Sequence, residues 1–443
     1  MKKHLPIILI IILASVLRLY GISRFPAGLN ADEASLGYNA YSLLQTGRDE
    51  HGHLWPVNLE SFGDFKPALY AYILIPFIKV FGLTEFAVRL PSAIFGILAV
   101  VFVYLLSKEI FENPTIGKIA ALTLAVSPWH LHFSRGGWEV NVATTMILIG
   151  VWLFLKNRFK LSILTLVLSM YTYQSARLII PLLGLGLFSL YRPKKILPSA
   201  LLLLLLLLPL GLSLVRSDAA SRLSGVGLLA DAGPVNRANE LRSQHSDGTS
   251  FVSRLFHNRP VLYSLAFLKN YTDHFSGDFL FVNGDVIQRN RIPETGLLYF
   301  TDFIFVAAGL VWLIRHSSSH TKVIWLWLLI APIASALTFQ TPHALRAHSL
   351  VIPLTILVSA GLYSVLKKDT PLRIILFCTI GLVYVWQVGR YLHEYYVHYP
   401  QTYPASWEYG FKQLVPYVES IKSNYDKILV TDKYDQPYIL FLF

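Results

Sequence analysis

Residues Pro67–Gly82, PALYAYILIPFIKVFG, decide how this chain is threaded through a membrane. A span needs about 20 mostly apolar residues to cross a hydrocarbon core of about 30 Å. This stretch has only sixteen, with Pro76 and Lys79 inside it. It is marginal as a span and suited to lying in the interface. Around it, apolar runs of spanning length begin near Leu5, Leu90, Ile116, Val140, Leu161, Leu178, Ile196, Leu297, Val323, Leu350 and Ile374, giving eleven candidate helices.

Charge arithmetic settles the ambiguous stretch. Let the N-terminus be cytoplasmic and Pro67–Gly82 not cross. The inside loops are then Met1–His4, Ser107–Lys118, Lys156–Lys160, Tyr191–Lys195, Arg315–Lys322 and Lys367–Arg373, with 15 Lys+Arg against 3 Asp+Glu. The remainder holds 23 of each sign, so the whole net charge of +12 falls on one side. That is the bias the positive-inside rule demands. A crossing at Pro67–Gly82 would put the later basic loops outside and erase it. The reading is an all-α polytopic membrane protein with about eleven transmembrane helices, the N-terminus inside and the C-terminus outside.

Composition agrees. Of 443 residues, 54% are hydrophobic and 14% charged, against roughly 25% charged in soluble domains. That excludes an ordinary cytosolic enzyme, a disordered chain and a fibre. The single cysteine, Cys378, excludes a disulfide framework or a Cys-rich metal site. The basic charge is a topology signal, so nucleic acid is not the partner. Lys2, Lys3 and the apolar run after them suggest a signal peptide, but Ala14-Ser15-Val16-Leu17-Arg18 offers no clear cleavage site. Residues 1–390 form the membrane domain. Residues 391–443 read as a small outside α/β segment: a helical stretch Ser406–Ser423, a strand-like Lys427–Asp432, and a final apolar strand Tyr438–Phe443 that looks like a domain cut short.

The outside loops carry the residues with chemistry in them. Asp32-Glu33 follows the first span at the start of a short helix, Glu33–Leu44. One reading is a helix N-cap; the other is a general base or metal ligand at the membrane surface. Lys66, just ahead of the half-length stretch, is either an interfacial anchor or a cation for a phosphate. His51 and His53 form a weak metal pair. The loop Ser127–Glu139 packs aromatics and histidines around Arg135 and Glu139; an acid at the mouth of a span is costly unless paired, and Arg135 or a metal would satisfy it. Thr341–His348 presents His343, Arg346 and His348 before a span. Arg346 either snorkels or binds a lipid phosphate, and Arg177 is a second cation of that kind. The long loop Arg216–Glu294 shows no periodic pattern. There is no Gly-rich phosphate loop, no H-E-x-x-H and no G-x-S-x-G.

In order and sidedness these features resemble the multispanning glycosyltransferases of the C fold, most closely the dolichyl-phosphate-mannose–protein mannosyltransferase family and its bacterial relatives. The resembling parts are Asp32-Glu33, Lys66-Pro67, Arg89-Leu90-Pro91-Ser92-Ala93, the Ser127-Pro128 loop and Pro342-His343-Ala344-Leu345-Arg346. The resemblance covers about residues 5–390. It implies an inverting transferase that moves a sugar, mannose by the family's habit, from a polyprenyl-phosphate donor to a protein, lipid or glycan acceptor outside the cytoplasm. Asp32 would be the catalytic base and Glu33 the second member of the pair. Lys66, Arg346 and His343 would hold the donor phosphate. Glu139 and Arg135 would serve acceptor or metal, although many members place an Asp after the Arg there. A divalent metal is compatible with such a site; no nucleotide or organic cofactor is indicated. A lipid flippase or transporter, and an oligosaccharide polymerase, are the alternative readings.

Overall fold

The computed structural model describes residues 4–193, 197–216, 225, 227–367 and 373–443. Parts of three basic loops (residues 1–3, 194–196 and 368–372) and residues 217–224 and 226 of the long loop lie outside the described residues.

A helix stands at each of the eleven expected positions: α1 Leu5–Leu19, α4 Glu85–Phe111, α5 Pro114–Val126, α7 Glu139–Leu155, α8 Phe159–Met170, α9 Ala176–Tyr191, α10 Leu197–Arg216, α13 Asp302–Arg315, α14 Ser319–Ile330, α15 Val351–Leu366 and α16 Arg373–His393. The first loop adds α2 Ala31–Thr46, the hairpin β1 Asn58–Ser61 and β2 Asp64–Pro67, and α3 Leu69–Phe81. A six-residue α6, Pro128–Phe133, follows α5, and α11 Gly233–Ser243 and α12 Arg259–Asp273 lie in the long loop. Four helical stretches, Glu85–Phe111, Ser319–Ala336, His348–Leu366 and Ile374–Thr402, are long and apolar enough to cross a membrane by length and composition. Others are short; α8 has 12 residues and α5 has 13.

Small residues let the bundle close. A Cβ on Gly309 of α13 would lie 2.1 Å from the Leu357 carbonyl, and one on Gly361 of α15 would lie 2.0 Å from that of Phe305. Apolar tails give no hydrophobic drive between spans, so helices associate where backbones can approach this closely.

Contacts assign each helix end to a face. At one face, Arg89, one turn into α4, donates to the carbonyls of Ile22 and Pro26 just past α1 at 3.0 and 3.1 Å. The Leu69 N–H at the start of α3 donates to the Tyr171 carbonyl just past α8 at 3.0 Å. Trp129 bonds the Leu297 and Ala344 carbonyls, both at 3.1 Å, and Tyr391 near the end of α16 reaches the Pro128 carbonyl at 3.3 Å. At the other face, Lys156 pairs with Glu109 at 2.5 Å, and Asn113 donates to Tyr363 at 2.9 Å. The described parts of the basic loops lie at this second face.

The same contacts place α3. It begins beside Tyr171, and Tyr70 in its first turn donates to the Val88 carbonyl at 2.8 Å, at the start of α4. It ends three residues before α4 begins. Both ends of α3 are therefore on one face, and Pro67–Gly82 does not cross.

The C-terminal segment departs from the sequence reading. Helix α17, Phe411–Ile421, falls within the expected helical stretch. Lys427–Asp432 has no strand partner, and Pro437–Leu442 is a helix, α18, not a strand. A strand needs a neighbour to satisfy its backbone, and the segment supplies none. Helix α18 instead buries Ile439 and Leu440 against Leu29, Ala31 and Ala34 at the start of α2.

The placement of α3 is testable by labelling single cysteines in a Cys378→Ser background. Gly82→Cys and Gln401→Cys will react with an impermeant maleimide from one side of sealed vesicles, and His316→Cys from the other. Labelling of Gly82→Cys together with His316→Cys would show that α3 crosses.

Candidate active site

The N-terminus of α2 separates the two adjacent acids. Asn30, not Asp32, is the cap: its side chain accepts the Glu33 N–H at 3.1 Å, and Glu33 Oε2 accepts the Asn30 N–H at 3.3 Å. This is a capping box. Successive residues on a helix point about 100° apart, so Glu33 inside leaves Asp32 facing out. Glu33 is fully buried and fully bonded. It takes Arg89 Nε at 2.9 Å and Nη2 at 3.1 Å, and the Gly137 N–H at 2.6 Å. Arg89 also donates to the Gly28 carbonyl. The pair ties α2, α4 and the loop before α7 to the end of α1.

Asp32 is about one-third exposed and forms an ion pair with Lys66. The hairpin carries that lysine into place: Lys66 sits opposite Leu59, Gln174 holds the neighbouring Phe65 carbonyl at 2.7 Å, and the ammonium lies over the Phe62 ring. A second cation, Arg289, lies 3.6 Å from the other Asp32 oxygen. Its carbonyl accepts from His132 Nε2 at 2.8 Å and Tyr399 at 3.2 Å, and its guanidinium lies over the Trp138 ring. Burial drives the His132 pKa down to about 4. The ring is thus neutral and holds the Arg289 backbone as a fixed donor.

Arg289 reaches on to Glu408, 3.9 Å away. Glu408 is nearly buried and has the left-handed φ of +46°. Burial, then a hydrogen bond with Asp435 and that residue's charge, push its pKa up to about 9. Glu408 and Asp435 line a cavity of about 590 Å³ with Arg289, Ser406, Phe411 and Tyr434. The first loop and the C-terminal segment press together beside it: a Cβ on Gly28 would lie 1.9 Å from the Trp407 carbonyl.

The other sequence-derived residues lie elsewhere or serve differently. Arg135 is buried and donates to the Leu17 carbonyl at 2.6 Å and that of Tyr20 at 2.7 Å, at the end of α1. Glu139 opens α7, partly buried. His343 is buried 3.6 Å from Asp285, and Arg346 donates to Thr338 at 2.8 Å. Asp285 accepts the Ala344 N–H at 2.6 Å, joining the long loop to the Thr341–His348 turn, and burial raises its pKa. His53 pairs with Asp49 at 3.1 Å and His51 lies 3.9 Å from Glu50. Arg177 donates to Asn58 at 2.5 Å. Sequence reasoning missed Arg289, in the long loop without a periodic pattern, and Glu408, near the start of the expected helical stretch Ser406–Ser423. It also missed the Asn30-x-x-Glu33 capping box, which was there to be read.

Two stability outcomes follow. Glu33→Ala strands the buried Arg89 cation, and breaking a buried pair costs about 3–5 kcal/mol; Asp32→Asn, at a partly exposed pair, costs under about 1 kcal/mol. Size-exclusion chromatography in detergent will show the first variant lost and the second monodisperse. Glu408 carries a raised pKa, so its contribution to stability is full below pH 4.5 and lost as pH climbs through about 9. Glu408→Gln will therefore raise Tm at pH 8 and leave it unchanged at pH 4; equal shifts at both would refute the assignment.

Residues 65–230 match the family described as dolichyl-phosphate-mannose-protein mannosyltransferase. No curated protein matches the chain. Among solved structures, ArnT from Cupriavidus metallidurans bound to undecaprenyl phosphate is 12% identical with a TM-score of 0.57, covering 98% of this chain and 74% of that one. The oligosaccharyltransferase AglB from Archaeoglobus fulgidus, in complex with an inhibitory peptide and a dolichol-phosphate, is 14% identical with a TM-score of 0.56. That match covers 98% of this chain, which spans 61% of the archaeal protein's length. Another structure of the archaeal enzyme is a complex with Zn and sulfate, at 14% identity and a TM-score of 0.55, covering 98% of this chain and 58% of that one. Residues 65–230 thus carry the likeness to that family, and over 98% of its length the chain shares the fold of these membrane-lipid-bound structures.

Proposed function

We propose that the protein transfers a sugar, mannose by family likeness, from a polyprenyl-phosphate donor to an acceptor hydroxyl outside the cytoplasm, with inversion at the anomeric carbon. One observation carries this reading: Asp32, a partly exposed carboxylate, stands between Lys66 and Arg289 beside a cavity roofed by the C-terminal segment. The basic loops at the opposite face support a cytoplasmic side there and a site outside.

The chemistry needs these groups and little else. A sugar on a phosphate is already activated. The acceptor oxygen attacks the anomeric carbon while its proton passes to Asp32. The bond from that carbon to the phosphate oxygen breaks, and the polyprenyl phosphate leaves with the electron pair. Negative charge grows on the leaving phosphate, where fixed cations act most strongly. Lys66 and Arg289 supply them. With no donor bound, Lys66 and Arg289 lie on Asp32; an incoming phosphate competes for both cations and frees the carboxylate to take the acceptor's proton. His343, beside Asp285, and Arg346, bonded to Thr338, are assigned to the donor phosphate on family likeness.

The archaeal neighbour's zinc complex raises the question of a metal at this site. Lys66 and Arg289 stand on Asp32, and both would compete with a divalent ion for its oxygens.

In membranes supplied with labelled polyprenyl-phosphate sugar, Asp32→Asn will lower transfer by at least about 100-fold, the usual contribution of a general base. Lys66→Ala and Arg289→Ala will each slow transfer at saturating donor by about 10- to 1000-fold, the range for lost transition-state charge stabilisation. Full activity in Asp32→Asn would defeat the proposal.

A further inference from the structure

The π turn that follows α16 sets three ligand-bearing side chains together at the face that also carries Asp32. Residues Glu394–His398 form a single π-helical turn, closed by the Tyr399 N–H donating to the Glu394 carbonyl. On an α-helix, residues five apart point about 140° from each other. The wider π turn closes that angle. His393 and His398 stand edge to face with ring centroids 4.9 Å apart. Glu394 joins them, and one ligand atom from each residue lies within 4.8 Å of the others. Among the described residues this is the one His/Cys/Asp/Glu group of three or more so arranged. π turns inside helices concentrate at functional positions because they cost regular hydrogen bonding.

The inward side of the same turn does structural work. Tyr395 and Tyr396 cover the Arg135 guanidinium, Tyr396 packs edge-on against Phe25, and Tyr395 and Tyr399 flank His132. Tyr399 also accepts from Trp407 Nε1 at 2.6 Å and donates to the Arg289 carbonyl. The turn thus connects the last span to residues that orient Arg289 and Glu408, while its outer side presents two imidazoles and a carboxylate to solvent.

We propose that His393, Glu394 and His398 bind a zinc-type divalent transition ion that clamps this turn. Two imidazoles and one carboxylate suit such an ion, leaving a fourth tetrahedral position for water. The ion's role is to hold the joint between α16 and the C-terminal segment.

The test uses the full chain in detergent, stripped with a chelator and titrated with Zn²⁺ alone, with Co²⁺ absorption as a spectroscopic check. The wild type will bind one ion at this site and gain Tm on loading. His398→Ala and the milder His398→Gln will each weaken binding by at least about tenfold, a typical loss for a disturbed metal site, and abolish the Tm gain. His53→Ala, on the Asp49-paired histidine of the first loop, will leave both unchanged. Binding that survives the two His398 variants, binding lost in His53→Ala, or no saturable Zn²⁺ binding by the wild type would each overturn the proposal. No transfer assay enters, so its failure is distinct from failure of the transferase reading.

Discussion

The buried ion pair between Arg89 and Glu33 is the constraint on which the candidate site depends. Removing two charges from water is expensive, and their attraction offsets that only when every remaining hydrogen-bonding position is filled. Here they are filled by the chain segments that must meet: carbonyls from Ile22, Pro26 and Gly28, the Gly137 N–H and the Asn30 cap. The pair therefore fixes the level at which α1 ends and α4 begins. It also fixes the rotation of α2, and so the outward direction of Asp32.

From that fixed point the site is assembled by electrostatics rather than by a motif. Each charged group is held by something uncharged. A hairpin and the Phe62 ring carry Lys66, and a neutral histidine and a tyrosine hold the Arg289 backbone. Glu408 would add a second negative charge beside Arg289, but burial and Asp435 keep it protonated near neutral pH. The cations are left to Asp32 and to whatever anion replaces it.

Much of this was legible in the sequence, for physical reasons. Spans are long apolar runs, so a helix could be expected at each of eleven places, and charge bias pointed to the behaviour of α3 because only one topology gathers the lysines and arginines on one side. The meeting of Asp32 and Lys66 was legible as two charges flanking one loop at the membrane surface. Side-chain roles inside that loop were harder. Arg135 looked like a partner for Glu139, but it caps the end of α1, where carbonyl oxygens without helical partners attract a cation. Glu33 looked like half of a reactive pair, yet the capping box turns it inward. Arg289 comes from a loop with no sequence period, and Glu408 sits in the turn just before α17, where the expected helix has not yet begun. The Lys427–Asp432 run has strand-like residues but no neighbour, and local propensity alone does not make a sheet.

The shortness of α5 and α8 reaches beyond the protein. Twelve or thirteen residues of helix rise only about 18–20 Å, well below the thickness of an average hydrocarbon layer. Lipids around such helices compress or tilt to avoid exposing their chains to water. The leaflets would draw together near these helices, and the distance between phosphate planes would shrink there. Any lipid headgroup beside these helices would thus sit lower against the protein than one in the bulk membrane.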